Sequence, residues 1–100
     1  MLAKISDCAV ANRISFTLKA RRELAAVGLG LGPEDARDIL LNLTVDDSAG
    51  RLVSAATGEW MYVFKPRVES VVMYVKVILR LDCVLISFHP NEGADHDEGE

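Results

Sequence analysis

Apolar and polar residues alternate most regularly in two runs near the C-terminal end of the chain, VVMYVKVILRL at 71–81 and CVLISFH at 83–89. A period of two in segments rich in Val and Ile predicts β-strands. With Leu81 and Asp82 as a two-residue hairpin loop, the antiparallel register pairs Arg80 with Cys83, Ile78 with Leu85, Lys76 with Ser87 and Tyr74 with His89. One face then gathers Tyr74, Lys76, Ser87 and His89, while Met73, Val75, Val77, Leu79, Val84, Ile86 and Phe88 form an unbroken apolar surface on the other. The apolar face is expected to be core. The polar face is either an ordinary wetted sheet surface, where such residues are common, or a site.

A third strand is expected in WMYVFKPR at 60–67, ended by Pro66, which cannot donate to a central ladder. Trp60, Tyr62 and Phe64 take one side, and Met61, Val63, Lys65 and Arg67 the other. The short connection over 67–70 lets this strand join the hairpin and brings Lys65 or Arg67 to the sheet end near Tyr74. That corner combines an arginine for bidentate grip on phosphate, a lysine as a point charge, and a tyrosine and histidine able to move protons.

Upstream, the pattern changes to helical. LKARRELAAV at 18–27 places Leu18, Leu24 and Ala25 roughly on one helical face, with Thr17 as N-cap. Gly28, Gly30 and Gly32 break that helix; their spacing does not fit the G-x-G-x-x-G of a dinucleotide loop, and no strand precedes them in the correct unit. Pro33, Glu34 and Asp35 open a second helix, with Ala36, Ile39, Leu40 and Leu43 as its buried stripe. Thr44 to Asp47 resembles a capping box that starts one short helical turn, ended by Gly50. A strand over 51–56 is then expected to reach Trp60 through Thr57, Gly58 and Glu59. Residues 1–13 carry no clear pattern.

Length and composition add bounds to this picture. The 100 residues, half of them apolar, are enough for one domain with one core, expected at 1–90 and followed by an acidic, disordered tail at 91–100. The longest near-apolar run is interrupted by Lys76 and Arg80, short of the roughly 20 residues a membrane helix needs. The N-terminus does not read as a signal peptide, so a cytoplasmic location and reduced Cys8 and Cys83 are expected. Neither cysteine is in a C-x-x-C spacing, and His89 and His96 make no metal motif, so no structural zinc is expected. The net charge of -4 argues against a nucleic-acid partner until its distribution is considered. Residues 92–100 hold five of the 15 acids and none of the 11 Lys and Arg, leaving 11 basic against 10 acidic groups in 1–91. Within that body, 34–47 is acidic and 60–80 is basic, as suits a protein that meets phosphate with one surface.

The block WMYVFKPRV, the YVK of Tyr74 to Lys76 and the DCVLISFH run from Asp82 to His89 resemble the C-terminal half of the MqsR family of type II toxin–antitoxin toxins. Gly30 and Leu31, the apolar stretch from Ile39 to Leu43 and the turn from Thr44 to Asp47 extend the resemblance, which covers roughly residues 16 to 89. It implies a small α+β domain of RelE/MqsR-like fold, N-terminal helices packed on a mainly antiparallel C-terminal sheet. It also implies a ribosome-independent mRNA interferase, with mRNA as substrate and a cognate antitoxin as partner.

Carried over residue by residue, the resemblance implies Tyr74 as the catalytic tyrosine, Pro66 and Arg67 as the Pro-Arg pair, and Lys76 as a second lysine of the site. His89 stands where the family has a catalytic lysine, Met61 where it has a glutamine, and Arg51 lies one position from a further family lysine. An imidazole serves as general acid or base near neutral pH, whereas Met61 removes a hydrogen-bonding group. The expected reaction needs no metal and no cofactor. Tyr74 or His89 takes the proton of a ribose 2′-hydroxyl, the other protonates the leaving 5′-oxygen, and Arg67, Lys65, Arg51 or Lys76 stabilise the phosphate charge, with Ser87 on the RNA-binding face. Which of the two is the base stays open. So do two other classes: a catalytically weak relative that binds antitoxin or nucleic acid, and an interaction domain whose polar sheet has no chemistry.

Overall fold

The computed structural model describes residues 2–91, so the expected disordered tail lies, from residue 92 on, outside the described residues. The element order is α1 (Leu2–Val10), β1 (Ile14–Phe16), α2 (Leu18–Ala26), α3 (Pro33–Leu41), a 3₁₀ turn (Val45–Asp47), β2 (Ser48–Val53), β3 (Trp60–Phe64), β4 (Arg67–Val68), β5 (Val71–Leu79) and β6 (Cys83–Pro90). The described residues thus form a small α+β domain of three α-helices and a mixed six-stranded sheet. Strand order is β1-β6-β5-β3-β2, with β4 paired to β5 outside that path. β1 is parallel to β6, and the other pairings are antiparallel.

The β5–β6 hairpin departs from simple alternation in its lower half. Tyr74 pairs with His89 and Lys76 with Ser87 as the pattern predicts, but Val77 pairs with Leu85, Ile78 with Val84 and Leu79 with Cys83. The connection therefore holds three residues, Arg80 to Asp82, and the extra residue is taken up by a bulge at Ile86 between the two registers. A bulge switches the parity of one strand. Cys83 and Leu85, not Val84 and Ile86, consequently lie in the core with Val77 and Phe88, all 0 % exposed. The connection from β3 to β5 also has its own structure: Arg67 pairs with Val72 and Val68 with Val71, around a turn in which Glu69 and Ser70 have φ of 49° and 71°.

The helices gather on one face of the sheet. Ile5, Cys8 and Ala9 of α1, Ala20 and Leu24 of α2, and Ala36 and Leu40 of α3 share a core with Phe64, Met73, Val75, Val77, Cys83, Leu85 and Phe88. Thr17 caps α2 by accepting from the Ala20 amide at 3.0 Å. The buried stripe of α2 is Ala20 and Leu24 at a spacing of four, while Leu18 and Ala25 are exposed, contrary to the sequence reading. The reason is that α2 lies along the β6 edge and turns only its Thr17–Ala20–Leu24 side inward.

The Asp35 carboxylate accepts from Gly32 N at 2.7 Å at the start of α3, and Asp47 accepts from Thr44 N at 2.9 Å at the 3₁₀ turn. β2 begins at Ser48 rather than at Arg51. Gly50, at φ 100°, sits inside an irregular step of the ladder between Ser48 and Arg51, so a glycine that reads as a terminator lets the pairing continue. No helix among the described residues is long and apolar enough to cross a membrane.

Candidate active site

Alternation along β5 and the upper half of β6 places Tyr74, Lys76, Ser87 and His89 on the sheet face opposite the helical core. Tyr74 and His89 are directly paired, and their rings stack with centroids 5.1 Å apart and planes 12° from parallel. Lys76 Nζ lies 5.9 Å from the Tyr74 ring centroid, within cation–π range. The face is not simply wet: Tyr74 is 7 % exposed and Ser87 1 %. Val63 and Ile78 on the same face are also buried, so polar groups sit at the margin of an apolar patch.

Two residues of this cluster come from α2 and escape the sequence reading. Lys19 Nζ donates to the buried Ser87 Oγ at 2.9 Å and pairs with Glu23 at 2.9 Å. The other Glu23 oxygen accepts from Phe88 N at 2.8 Å, so the helix closes the part of the β6 edge that lies beyond its pairing with β1. Burial pushes the Glu23 carboxyl up, but the Lys19 hydrogen bond, the Phe88 amide and the Lys19 and His89 charges outweigh it and hold the group below its ordinary range. An anionic carboxylate therefore stands beside His89. A Lys–Glu pair at i, i+4 is legible in the sequence; its docking on a strand 65 residues away is not.

The His89 ring is oriented by a local bond. Its Nδ1 lies 2.9 Å from the Pro90 carbonyl oxygen, an acceptor, so a hydrogen bond there requires the proton on Nδ1. The neutral ring then presents Nε2 as its basic atom.

The remaining predicted residues are placed unequally. The β3–β5 register ends at Phe64 opposite Val75, and continuing it by one step sets Lys65 alongside Tyr74. Arg67 pairs with Val72, two positions along β5 from Tyr74, and is exposed. Arg67 also borders a cavity of about 260 Å³ shared with Asp38, Asn42 and Asp47. Arg51 is not brought to the cluster. It pairs with Tyr62, which pairs with the core residue Val77, so it belongs to the helix-side face, and its guanidinium stacks 4.1 Å from the centroid of Trp60. Met61 shares the face of Val63 and Lys76 and gives it no hydrogen-bonding group. Arg80 is engaged elsewhere, in a bidentate pair with Glu59 at 2.8 and 2.6 Å, which holds the Glu59 carboxyl at about 2.

Chemically, the cluster offers a basic imidazole nitrogen, a phenol at stacking distance, and two ammonium groups, with Ser87 fixing the position of one of them. The chain matches no protein-family model and no curated protein.

Proposed function

We propose that this protein is a metal-free endoribonuclease of the mRNA interferase type, the toxin of a type II toxin–antitoxin pair with an MqsR-like fold. The reading rests on one observation: Tyr74 and His89 are stacked beside the rung of Lys76 and Ser87, where Ser87 accepts from Lys19 of the Lys19–Glu23 pair. His89 Nε2 takes the proton of a ribose 2′-hydroxyl as its oxygen attacks the adjacent phosphorus. The bond from phosphorus to the 5′-oxygen breaks, and that oxygen leaves with the Tyr74 proton, producing a 2′,3′-cyclic phosphate and a 5′-hydroxyl. Lys76 and Lys65, with Lys19 and Arg67 at the flanks, stabilise the charge that builds on the phosphate oxygens. On this reading the substrate is cytoplasmic single-stranded mRNA, and an antitoxin, a DNA-binding protein encoded nearby, covers the site.

The test is incubation of purified protein with mixed-sequence RNA in EDTA, with the product ends mapped. Cyclic phosphates and 5′-hydroxyls are the expected termini. Met61 on the site face, together with the small exposure of Tyr74, favours a second reading, a catalytically weak relative that binds RNA or an antitoxin. Binding without cleavage under these conditions selects it.

A further inference from the structure

A cavity of about 570 Å³ lies off the β1 edge of the sheet, between β1, α2 and α3, and none of Tyr74, Lys76, Ser87 and His89 lines it. Its volume is within the range of roughly 300–1,000 Å³ of small-molecule sites. Phe16 supplies an aromatic wall, and the Arg21 guanidinium lies 5.7 Å from its ring centroid. Arg37 of α3 enters from the other side, its Nε anchored on the Ala9 carbonyl at 2.6 Å. No carboxylate among the described residues lies within salt-bridge distance of Arg21 or Arg37. Glu34 is the one acid in the lining.

The strand edge adds hydrogen-bonding capacity. Cys83 N bonds to Arg13 O at 3.0 Å and Thr17 N to Leu85 O at 3.1 Å, so alternate residues of this parallel pair face β6. The peptide groups of Ile14 and Phe16 therefore point off the open side of β1, and both residues line the cavity. β1 is three residues long, bounded by the Asn12 turn and the start of α2, which is too short an edge for strand addition by a peptide. An aromatic wall, two arginines and a short row of amide donors and carbonyl acceptors match the base face, the phosphate and the base edge of a nucleotide.

We propose that this cavity binds one nucleotide, with the phosphate held by Arg21 and Arg37 and the base against Phe16 and the β1 edge. The site is separate from the Tyr74–His89 cluster and stands whether or not RNA is cut. The nucleotide is either a free nucleoside monophosphate or one residue of an RNA strand. Calorimetric titration of the full chain with AMP, GMP, CMP and UMP, and separately with adenosine and inorganic phosphate, tests it. At least one monophosphate should saturate at one per chain below about 1 mM. Arg21→Ala, a change at an exposed helical position, should weaken it about 10-fold, and Glu34→Gln should tighten it. A short 2′-O-methyl RNA that displaces the monophosphate and is equally sensitive to Arg21→Ala identifies the strand as the source; failure to displace it identifies the free nucleotide. The proposal is overturned if no monophosphate saturates, if phosphate or adenosine alone binds as tightly, or if an acidic peptide competes better than any nucleotide. It is also overturned if Tyr74→Phe weakens binding as much as Arg21→Ala, because the ligand would then lie at the sheet cluster.

Discussion

His89 and Tyr74 carry the chemical proposal, and each can be removed without touching the helical core. His89→Ala should lower RNA cleavage by about 10²-fold or more, since it removes the atom proposed as base. Tyr74→Phe should cost a comparable factor while far-ultraviolet circular dichroism stays unchanged, because only a hydroxyl is lost. Cleavage at the parent rate in either variant moves the proton transfer elsewhere. A second residue-scale prediction concerns Cys83. Burial, reinforced by nearby Cys8, pushes its thiol up to about 12, so the reactive thiolate is scarce in the folded protein. Alkylation by iodoacetamide at pH 8 should leave Cys83 unmodified in the native state and label it only after unfolding in urea. The shared face and the pairing of Tyr74 with His89 were legible in the alternation, whereas their proposed roles come from the family resemblance; the ring stack and the Nδ1 bond depend on side-chain geometry that no pattern encodes.

At the scale of elements, the closure of the β6 edge by α2 is the contact with the clearest energetic consequence. Glu23→Ala removes the acceptor of the Phe88 amide and the partner of Lys19 and should destabilise the fold by about 1–3 kcal/mol in urea titrations at neutral pH. Because the folded carboxyl titrates below 4.5, its contribution is present above that pH and is lost as the pH falls through the folded value. The difference between parent and variant should therefore shrink in acid; a gap that stays constant would mean that lost packing, not charge, is being measured. The β4–β5 turn makes a prediction of opposite sign. Ser70 is held at φ 71°, a region that suits glycine, so Ser70→Gly should raise stability by about 0.5–1 kcal/mol in the same titration. The sequence shows this element only as a short connection over 67–70, because its two residues with positive φ form a hairpin turn without the Asn-Gly signal that usually marks one.

For the whole molecule, charge separates surface from tail. Residues 1–91 carry 11 basic and 10 acidic groups, whereas the nine residues that follow hold five acids. The chain leaves the described fold at Asn91, whose amide bonds to Val72 O at 2.7 Å, two positions along β5 from Tyr74. Deleting 92–100 should tighten RNA binding at low salt, and the gain should fall as salt rises through a Debye length of about 10 Å at 0.1 M. Equal affinity of the two proteins in filter binding at low ionic strength would show that the tail charge does not act at the site.

Periodicity and capping by themselves determined β3, β5 and β6, the two helices after residue 17 with their Thr17 and Pro33 starts, and the face that gathers Tyr74, Lys76, Ser87 and His89. These are local quantities: spacing, capping and turn chemistry act within a few residues. Tertiary structure decided what depends on contacts across the chain. The bulge at Ile86 arises because Cys83 and Leu85 fill the core beside Val77 while Ser87 and His89 keep their partners, and alternation alone cannot say where a strand changes parity. β1 is too short to show a period and exists because β6 offers it an edge. Arg51 reads as a neighbour of the site, yet the pairing of β2 with β3 sends it to the opposite face. Lys19 and Glu23 enter the site only because burying Ala20 and Leu24 sets α2 against β6, a matter of packing that no stretch of sequence contains on its own.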